Sequence, residues 1–235
     1  MTMRLIDELS RLGTPVLADG CLRTNVPIRC APATLRPLVA SMRCAGRARP
    51  GRHAGSIDVF LEALQGPGTR GEVLVVDNGG RLDEACVGDL VTLEAKGEGV
   101  AGIVIWGLHR DADELAAIGL PLFSLGALPT GPQRLDPRPA DVLHRAVVGT
   151  HDVTRGDVVV ADAHGVLLLP EDRLDDIVAA ATAVRETERG HLELMETGRS
   201  FRAQARFGEY LSRRARDASY SFRQHLRDIQ AAGEA

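Results

Sequence analysis

The chain has 235 residues, 44% of them hydrophobic, and a formal net charge of −4 at pH 7. That length allows one large domain, or a domain with an appendage, around a substantial core. The nearly balanced charge gives no global reason to expect a nucleic-acid or membrane partner. No apolar run is long enough to span a bilayer, and the N-terminus lacks a signal-peptide pattern, so a soluble cytoplasmic protein is expected.

Aromatic residues make up only 3% of the chain, so the core must be mostly Val, Leu, Ile and Ala. Cys21, Cys30, Cys44 and Cys86 show no CxxC spacing and read as reduced, mostly buried thiols. Lys96 is the only lysine, against 27 arginines. It precedes Gly97 at an expected helix C-terminus, where a cation is favourable and solvated. A Schiff base needs a desolvated amine, so Lys96 is a poor candidate for covalent catalysis.

In chain order, residues 3–12 alternate as a short amphipathic helix. Thr14-Pro15 reads as an N-cap and first-turn proline of a second helix. Residues 26–50 are rich in Pro and Arg, with strands expected near 33–39 and 43–49. Ser56 is placed to cap a helix whose inner stripe is Ile57, Phe60, Leu61 and Leu64. Val73–Asp77 is a continuous apolar run, expected as a strand buried on both faces. Val87, Leu90, Val91 and Ala95 mark the inner stripe of the next helix. Gly102–Trp106 is a second buried strand, Asp113 to Ile118 a helix, and Pro121–Ser124 a third strand. This βαβαβ order implies parallel pairing with right-handed crossovers. Residues 126–144 read as loop. Arg145–Val153, Asp157–Ala161 and Val166–Leu169 read as strands, and a long amphipathic helix runs from about Glu171 into the 190s. The last forty-odd residues look helical and Arg-rich.

Two motifs fail on context. Gly97-Glu98-Gly99-Val100-Ala101-Gly102 fits GxGxxG, but it lies between a helix and a strand, the reverse of the dinucleotide-binding order. His109-Arg110-Asp111 resembles the start of a kinase catalytic loop, but Ala116 stands where that loop needs asparagine. Seven scattered histidines offer no zinc spacing.

What remains is a pair of helix starts. Gly88-Asp89-Leu90-Val91 opens one, and its free N–H groups suit a carboxylate, with Gly88 admitting the ligand. Arg110-Asp111 opens the next: a planar fork for a carboxylate beside a hard oxygen ligand. The plain alternative is a surface Arg-Asp pair and an aspartate favouring the helix dipole.

Gly88-Asp89-Leu90, followed 22 residues after Gly88 by Arg110-Asp111 across a Val-Ala-Gly-Ile-Val-Ile strand, resembles the RraA-like family. That family includes regulator of ribonuclease activity A and the class II 4-hydroxy-4-methyl-2-oxoglutarate / 4-carboxy-4-hydroxy-2-oxoadipate aldolases. Gly156–Asp162 and Gly165–Pro170 extend the likeness, which covers roughly residues 10–190. It implies an α/β chain with the swivelling β/β/α (phosphohistidine-domain-like) fold and a central, mostly parallel sheet. We expect that domain over residues 1–190 and a helical, Arg-rich extension over 191–235.

The resemblance further implies a trimer or hexamer with its active site between subunits. Gly88, Asp89, Leu90 and Val91 would contact a pyruvate-like group of a small 2-oxo acid. Arg110 would bind its carboxylate and Asp111 would bind Mg2+ or Mn2+. A glutamate from the neighbouring subunit's late helix completes the aldolase site; Glu186 is the candidate, ahead of Glu188.

The expected function is a metal-dependent carbon–carbon lyase. Retro-aldol cleavage of a 4-hydroxy-2-oxo acid and decarboxylation of oxaloacetate both pass through the pyruvate enolate, which a divalent cation can stabilise. Asp89 would organise water and carry the proton. Trp106 stands where many aldolases have a polar residue, and can either reshape the pocket or face the core. His164 stands where acidic residues are common.

The alternative is a non-catalytic RraA-like regulator binding an RNA-processing enzyme or RNA. Arg199, Arg202, Arg206, Arg213, Arg214, Arg216, Arg223 and Arg227 accompany Phe201, Phe207, Tyr210, Tyr220 and Phe222. Such a set can stack on single-stranded RNA, but interleaved acids favour an oligomer-interlocking tail.

Overall fold

The computed structural model describes residues 3–231, with side chains described for 5–229. Residues 232–235 of the expected helical extension lie outside the described residues. The chain divides into two compact units, residues 1–182 and 183–235.

The first unit opens with helices α1 (Met3–Leu12) and α2 (Thr14–Arg23), then two short strands, β1 (Arg29–Cys30) and β2 (Arg36–Pro37). Strand β3 (Cys44–Arg52), helix α3 (Asp58–Gln65), β4 (Val73–Asp77), β5 (Ala85–Val87) and α4 (Asp89–Gly97) follow. Next come β6 (Gly102–Trp106), β7 (Leu108–His109), α5 (Ala112–Ile118) and β8 (Leu122–Ser124). The hairpin β9 (Arg145–Val148) and β10 (His151–Thr154) precedes β11 (Asp157–Asp162) and β12 (Gly165–Pro170). A 3-10 turn, Glu171–Arg173, leads into α6 (Leu174–Glu196), which crosses from the first unit into the second.

Eight strands form one sheet in the order β1-β12-β11-β3-β4-β6-β8-β2. The central run β3-β4-β6-β8 is parallel, and the outer strands pair antiparallel. Two-residue periodicity explains why the sequences of β4, β6, β11 and β12 are mostly apolar. Leu74, Val76, Ile103 and Ile105 enter a core with α3, α4 and α5. Val158, Val160, Leu167 and Leu169 enter a second core with α1, α2 and the start of α6. The alternate residues, Val73, Val75, Val104, Val159 and Leu168, meet the β9–β10 hairpin on the other face. The strands β4, β6, β11 and β12 are buried on both faces along nearly their whole length, so no polar alternation survives in them. The expected fold class is the one observed.

Several local expectations change. Thr14 does not cap its own helix. The Asp162 carboxylate, from the end of β11, accepts the Thr14 N–H at 2.8 Å and the Thr14 hydroxyl at 2.8 Å. A long-range acid thus replaces the local cap. Ser56 caps nothing: Ile57 is the N-cap residue of α3, without a side-chain bond. The α3 stripe is rotated, burying Val59, Phe60, Ala63 and Leu64 and leaving Ile57 and Leu61 exposed. Val87 belongs to a strand rather than a helix stripe. Leu90, expected inside, is 71% exposed, while Val91 and Ala95 are buried. Residues 33–39 yield only the two-residue β2, and 145–153 breaks into a hairpin at Gly149, whose φ is +64°.

The second unit carries the rest of α6, then α7 (Phe201–Gln204), α8 (Phe207–Arg214) and α9 (Phe222–Ala231). Its aromatics pack on one another: Phe207, Tyr210, Tyr220 and Phe222 surround or adjoin the fully buried His225. His225 Nε2 lies 2.9 Å from the Ala205 carbonyl. Among the described residues, no helix is long and apolar enough to cross a membrane.

Candidate active site

Strands β5 and β7 are parallel neighbours, pairing Ala85 with Leu108 and Val87 with His109. Whatever follows each strand must therefore emerge side by side. Gly88-Asp89 follows one and Arg110-Asp111 the other, which converts a spacing of 22 residues into contact. The Arg110 N–H donates to the Val87 carbonyl at 3.0 Å. Asp111 Oδ2 accepts the Asp89 N–H at 3.3 Å and lies 3.2 Å from Arg110 Nε.

Asp111 adopts φ +59°, ψ +45°, a left-handed conformation that costs an ordinary residue about 1 kcal/mol. Asn and Asp tolerate it best, and here it turns the carboxylate back toward α4. Gly88 is required by that return. A Cβ at Gly88 would collide with Asp111 Oδ2 and lie 3.1 Å from Arg110 Nε. The glycine therefore admits the protein's own side chains, where its sequence suggested room for a ligand. The α4 amides are likewise partly occupied, since Asp111 takes the Asp89 N–H and Asp89 Oδ1 takes the Leu90 N–H at 2.7 Å.

Beside this contact is a cleft of about 130 Å³, and Asp111 is not among the residues that line it. Gly88, Asp89, Leu90, Val91 and Arg110 line it, with Ile57, β5 and the Gly131-Pro132 loop. Its volume is well below the roughly 300–1,000 Å³ of sites for drug-sized ligands, so it suits a small acid. Asp89 and Asp111 are half-buried and Arg110 is exposed. Cys86 lines the cleft, but burial pushes its thiol well above the usual range, so it is no nucleophile. Glu186 is an exposed residue of α6 in the second unit and is not among the lining residues. Trp106 does not line the cleft either: it packs with the core beneath the hairpin, and a Cβ at Gly80 would sit 2.9 Å from its ring. His164 lies in the β11–β12 turn, its N–H donating to Asp162 Oδ1 at 2.9 Å.

Among the described residues, no group of three or more His, Cys, Asp or Glu is gathered to cage a metal. The donor set does suit a cation that keeps most of its waters: the Asp111 carboxylate is a hard oxygen ligand close to Asp89. Mg2+ is typically held by one or two carboxylates, with water and substrate oxygens completing its shell.

Behind the cleft lies a charged cluster that no local pattern announced. Glu84, 4% exposed, receives Arg134 Nε at 3.1 and 3.2 Å and Arg134 Nη2 at 2.9 Å. Arg134 Nη2 also donates to Asn78 Oδ1 at 2.9 Å, and His53 Nδ1 is 2.9 Å from the same oxygen. His53 stacks on Phe60, and its Nε2 has no hydrogen-bond partner. The partners are 25 to 56 residues apart in sequence, beyond any periodicity signal. A second buried histidine, His109, has Nδ1 2.7 Å from the Ser124 hydroxyl.

Burial pushes His53 below its usual value of 6.5, and Arg134 adds to the shift; Asn78 and Glu84 oppose it. Below pH 6.5 the unfolded chain therefore binds more protons than the folded one. The contribution of a neutral His53 is complete above that pH and is lost as pH falls toward the folded value. The urea midpoint should hold steady from pH 8 to 7 and fall between 6.5 and 5, less steeply in His53→Gln. An identical slope in both proteins would remove His53 as the cause.

A family model described as RraA-like, Aldolase/RraA, matches residues 2–168. The chain belongs to the RraA-like family. Among its relatives, a protein of Burkholderia mallei (strain SAVP1) named "Putative 4-hydroxy-4-methyl-2-oxoglutarate aldolase" is 36% identical over 160 residues, 68% of this chain and 91% of that one. Protein DlpA of Legionella pneumophila is 31% identical over 116 residues, 49% of this chain, which spans only 19% of that longer protein. The solved structure of Streptomyces coelicolor RraAS2, described as an unusual member of the RNase ES inhibitor RraA family, superposes with a TM-score of 0.70. It is 25% identical and covers 80% of this chain and 96% of its own. The β5–β7 pair and the cleft both lie within the residues that the family model matches.

Proposed function

We propose that this RraA-like protein is a divalent-metal-dependent carbon–carbon lyase acting on small 2-oxo acids. The supporting observation is the meeting of Gly88-Asp89 with Arg110-Asp111, three of which, Gly88, Asp89 and Arg110, line a small cleft. Arg110 receives the substrate carboxylate on its planar fork, as a guanidinium does wherever bidentate recognition matters. Asp111 holds the cation, Mg2+ or Mn2+, which when bound supplies a Lewis acid for the 2-oxo group. Leu90 and Val91 border the pyruvate-like portion. Asp89 holds water at the cleft and returns a proton to C3 after the C3–C4 bond breaks. Glu186, exposed on α6, is assigned to a second copy of the chain, where it accepts the proton of the C4 hydroxyl. A trimer or hexamer of the chain is part of this proposal. The same arrangement of groups serves oxaloacetate decarboxylation.

The test is pyruvate release from oxaloacetate, 4-hydroxy-4-methyl-2-oxoglutarate and 4-hydroxy-2-oxopentanoate with Mg2+ or Mn2+, followed with and without EDTA. Turnover should vanish with EDTA and in Asp111→Ala. The likeness to RraAS2 favours a second reading, a non-catalytic regulator of an RNA-processing enzyme. Absence of turnover on all three acids, with retained binding to such an enzyme, would establish that reading instead.

A further inference from the structure

Part of the cleft wall is loop. Gly131 and Pro132 line it, and they belong to the irregular segment between β8 and β9. Such a segment needs tethers to hold one conformation. They lie on both sides of these two residues. Before them, the Leu128 N–H donates to the His109 carbonyl and the Ala85 N–H donates to the Thr130 carbonyl, each at 2.9 Å. After them, Arg134 donates to Glu84, from Nη2 at 2.9 Å and from Nε at 3.1 and 3.2 Å, and to Asn78 Oδ1 at 2.9 Å. The Asp136 N–H then donates to the Ala54 carbonyl at 2.9 Å. Glu84 immediately precedes β5, so this latch fastens the loop to the strand that leads to Gly88.

The loop in turn abuts a guanidinium. A Cβ at Gly131 would lie 3.4 Å from Arg110 Nη1, and a Cβ at Gly88 would lie 3.1 Å from Arg110 Nε. Asp111 Oδ2 is 3.2 Å from the same Nε. The Arg110 side chain is 47% exposed, so these neighbours, rather than burial, restrict its rotamers. Every group in this series of contacts belongs to one copy of the chain. A buried ion pair adds little stability over apolar side chains of the same volume, so the main effect left to the Glu84–Arg134 pair is geometric.

We propose that Arg134 is a positioning residue for the cleft: held by Glu84 and Asn78, it fixes the Gly131-Pro132 wall, and that wall fixes the Arg110 guanidinium for a carboxylate. This rests on the reading of the cleft as a 2-oxo acid site. Arg134 does not line the cleft and acts only through the loop. Without the latch, the loop loosens and Arg110 regains rotamers that a ligand must then freeze out.

The test variant is Glu84→Leu with Arg134→Met, which strands no charge. Pyruvate titrated calorimetrically into the full-length protein with Mg2+ should bind this variant about tenfold more weakly than the unaltered protein. Amide hydrogen exchange, read by mass spectrometry, should be faster by about tenfold or more across residues 128–136 and unchanged in β4 and β6. With oxaloacetate as substrate, KM should rise by the same factor and kcat stay within about twofold, because Arg110 holds the carboxylate equally before and at the transition state. A merely less folded protein would instead lose kcat at constant KM. Arg134→Lys keeps a charge beside Glu84 but not the fork that also reaches Asn78; it should show the same changes at smaller size, and it carries the test should the double variant fail to fold. Unchanged affinity overturns the proposal. Weaker binding without faster exchange across 128–136 also overturns it, because the loop is then not the route. Failure of the unaltered protein to bind pyruvate removes the reading of the cleft and the proposal with it. A failure confined to the variants removes the role of Arg134 and leaves that reading standing.

Discussion

Glu84→Ala is expected to destabilise the first unit by about 3 kcal/mol, the lower end of the range for breaking a buried ion pair. The cause is the partner left behind. Arg134 would keep its place between His53 and Asn78 but lose the carboxylate that receives both Nε and Nη2. Its side chain retains 21% of its exposure, so water recovers part of the loss, which argues for the lower end. The urea midpoint should fall with little change in slope. Removing both charges, in Glu84→Leu with Arg134→Met, should restore most of the stability, because no charge is then stranded. A double variant as unstable as Glu84→Ala would show that packing, rather than the unpaired guanidinium, carries the effect.

Gly88→Ala should lower kcat/KM by about 100-fold while leaving the melting temperature nearly unchanged, since misplacement by about 1 Å can cost that much. The Gly88 backbone lies at φ −134°, ψ −163°, a conformation alanine adopts freely. The added methyl therefore strains no backbone; it lands on the carboxylate of Asp111 and against the side chain of Arg110. Both must swing away from α4, which moves the proposed carboxylate clamp and the proposed cation ligand together. Activity retained within threefold would show that the Gly88–Asp111 contact is not part of the working site.

The sheet was largely legible because each core strand sends alternate residues into two different cores, leaving uninterrupted Val, Leu and Ile runs. The pairing of Asp89 with Arg110 and Asp111 was readable as spacing along the chain. What made it contact, the short β5–β7 pair, was not: Ala85–Val87 merges into the next apolar stripe, and only pairing with Leu108–His109 distinguishes it. Caps failed for a related reason. Thr14 and Ser56 have the right chemistry at the right positions, yet Asp162 reaches Thr14 across 148 residues and Ser56 makes no cap. The Glu84–Arg134 cluster was invisible because ion pairs have no periodicity, and its arginine lies in a proline-rich loop that reads as solvent-facing. Trp106 faced two ways in sequence, and packing places it with the core.

Lys96, a poor candidate for covalent catalysis, has a structural role. In the fold its ammonium donates to the carbonyl of Ile118, so the last turns of α4 and α5 are tied at an exposed point. Seven residues separate it from Asp89, about 10 Å along the helix. Because it is the only side-chain amine in the chain, an amine-reactive dye used well above pH 8, with the α-amino group blocked beforehand, would report from one address, on the same helix as the cleft and outside its lining residues. The protein thus carries a natural position for a fluorescence reporter of ligand binding, with no cysteine to introduce and no competing lysine to remove.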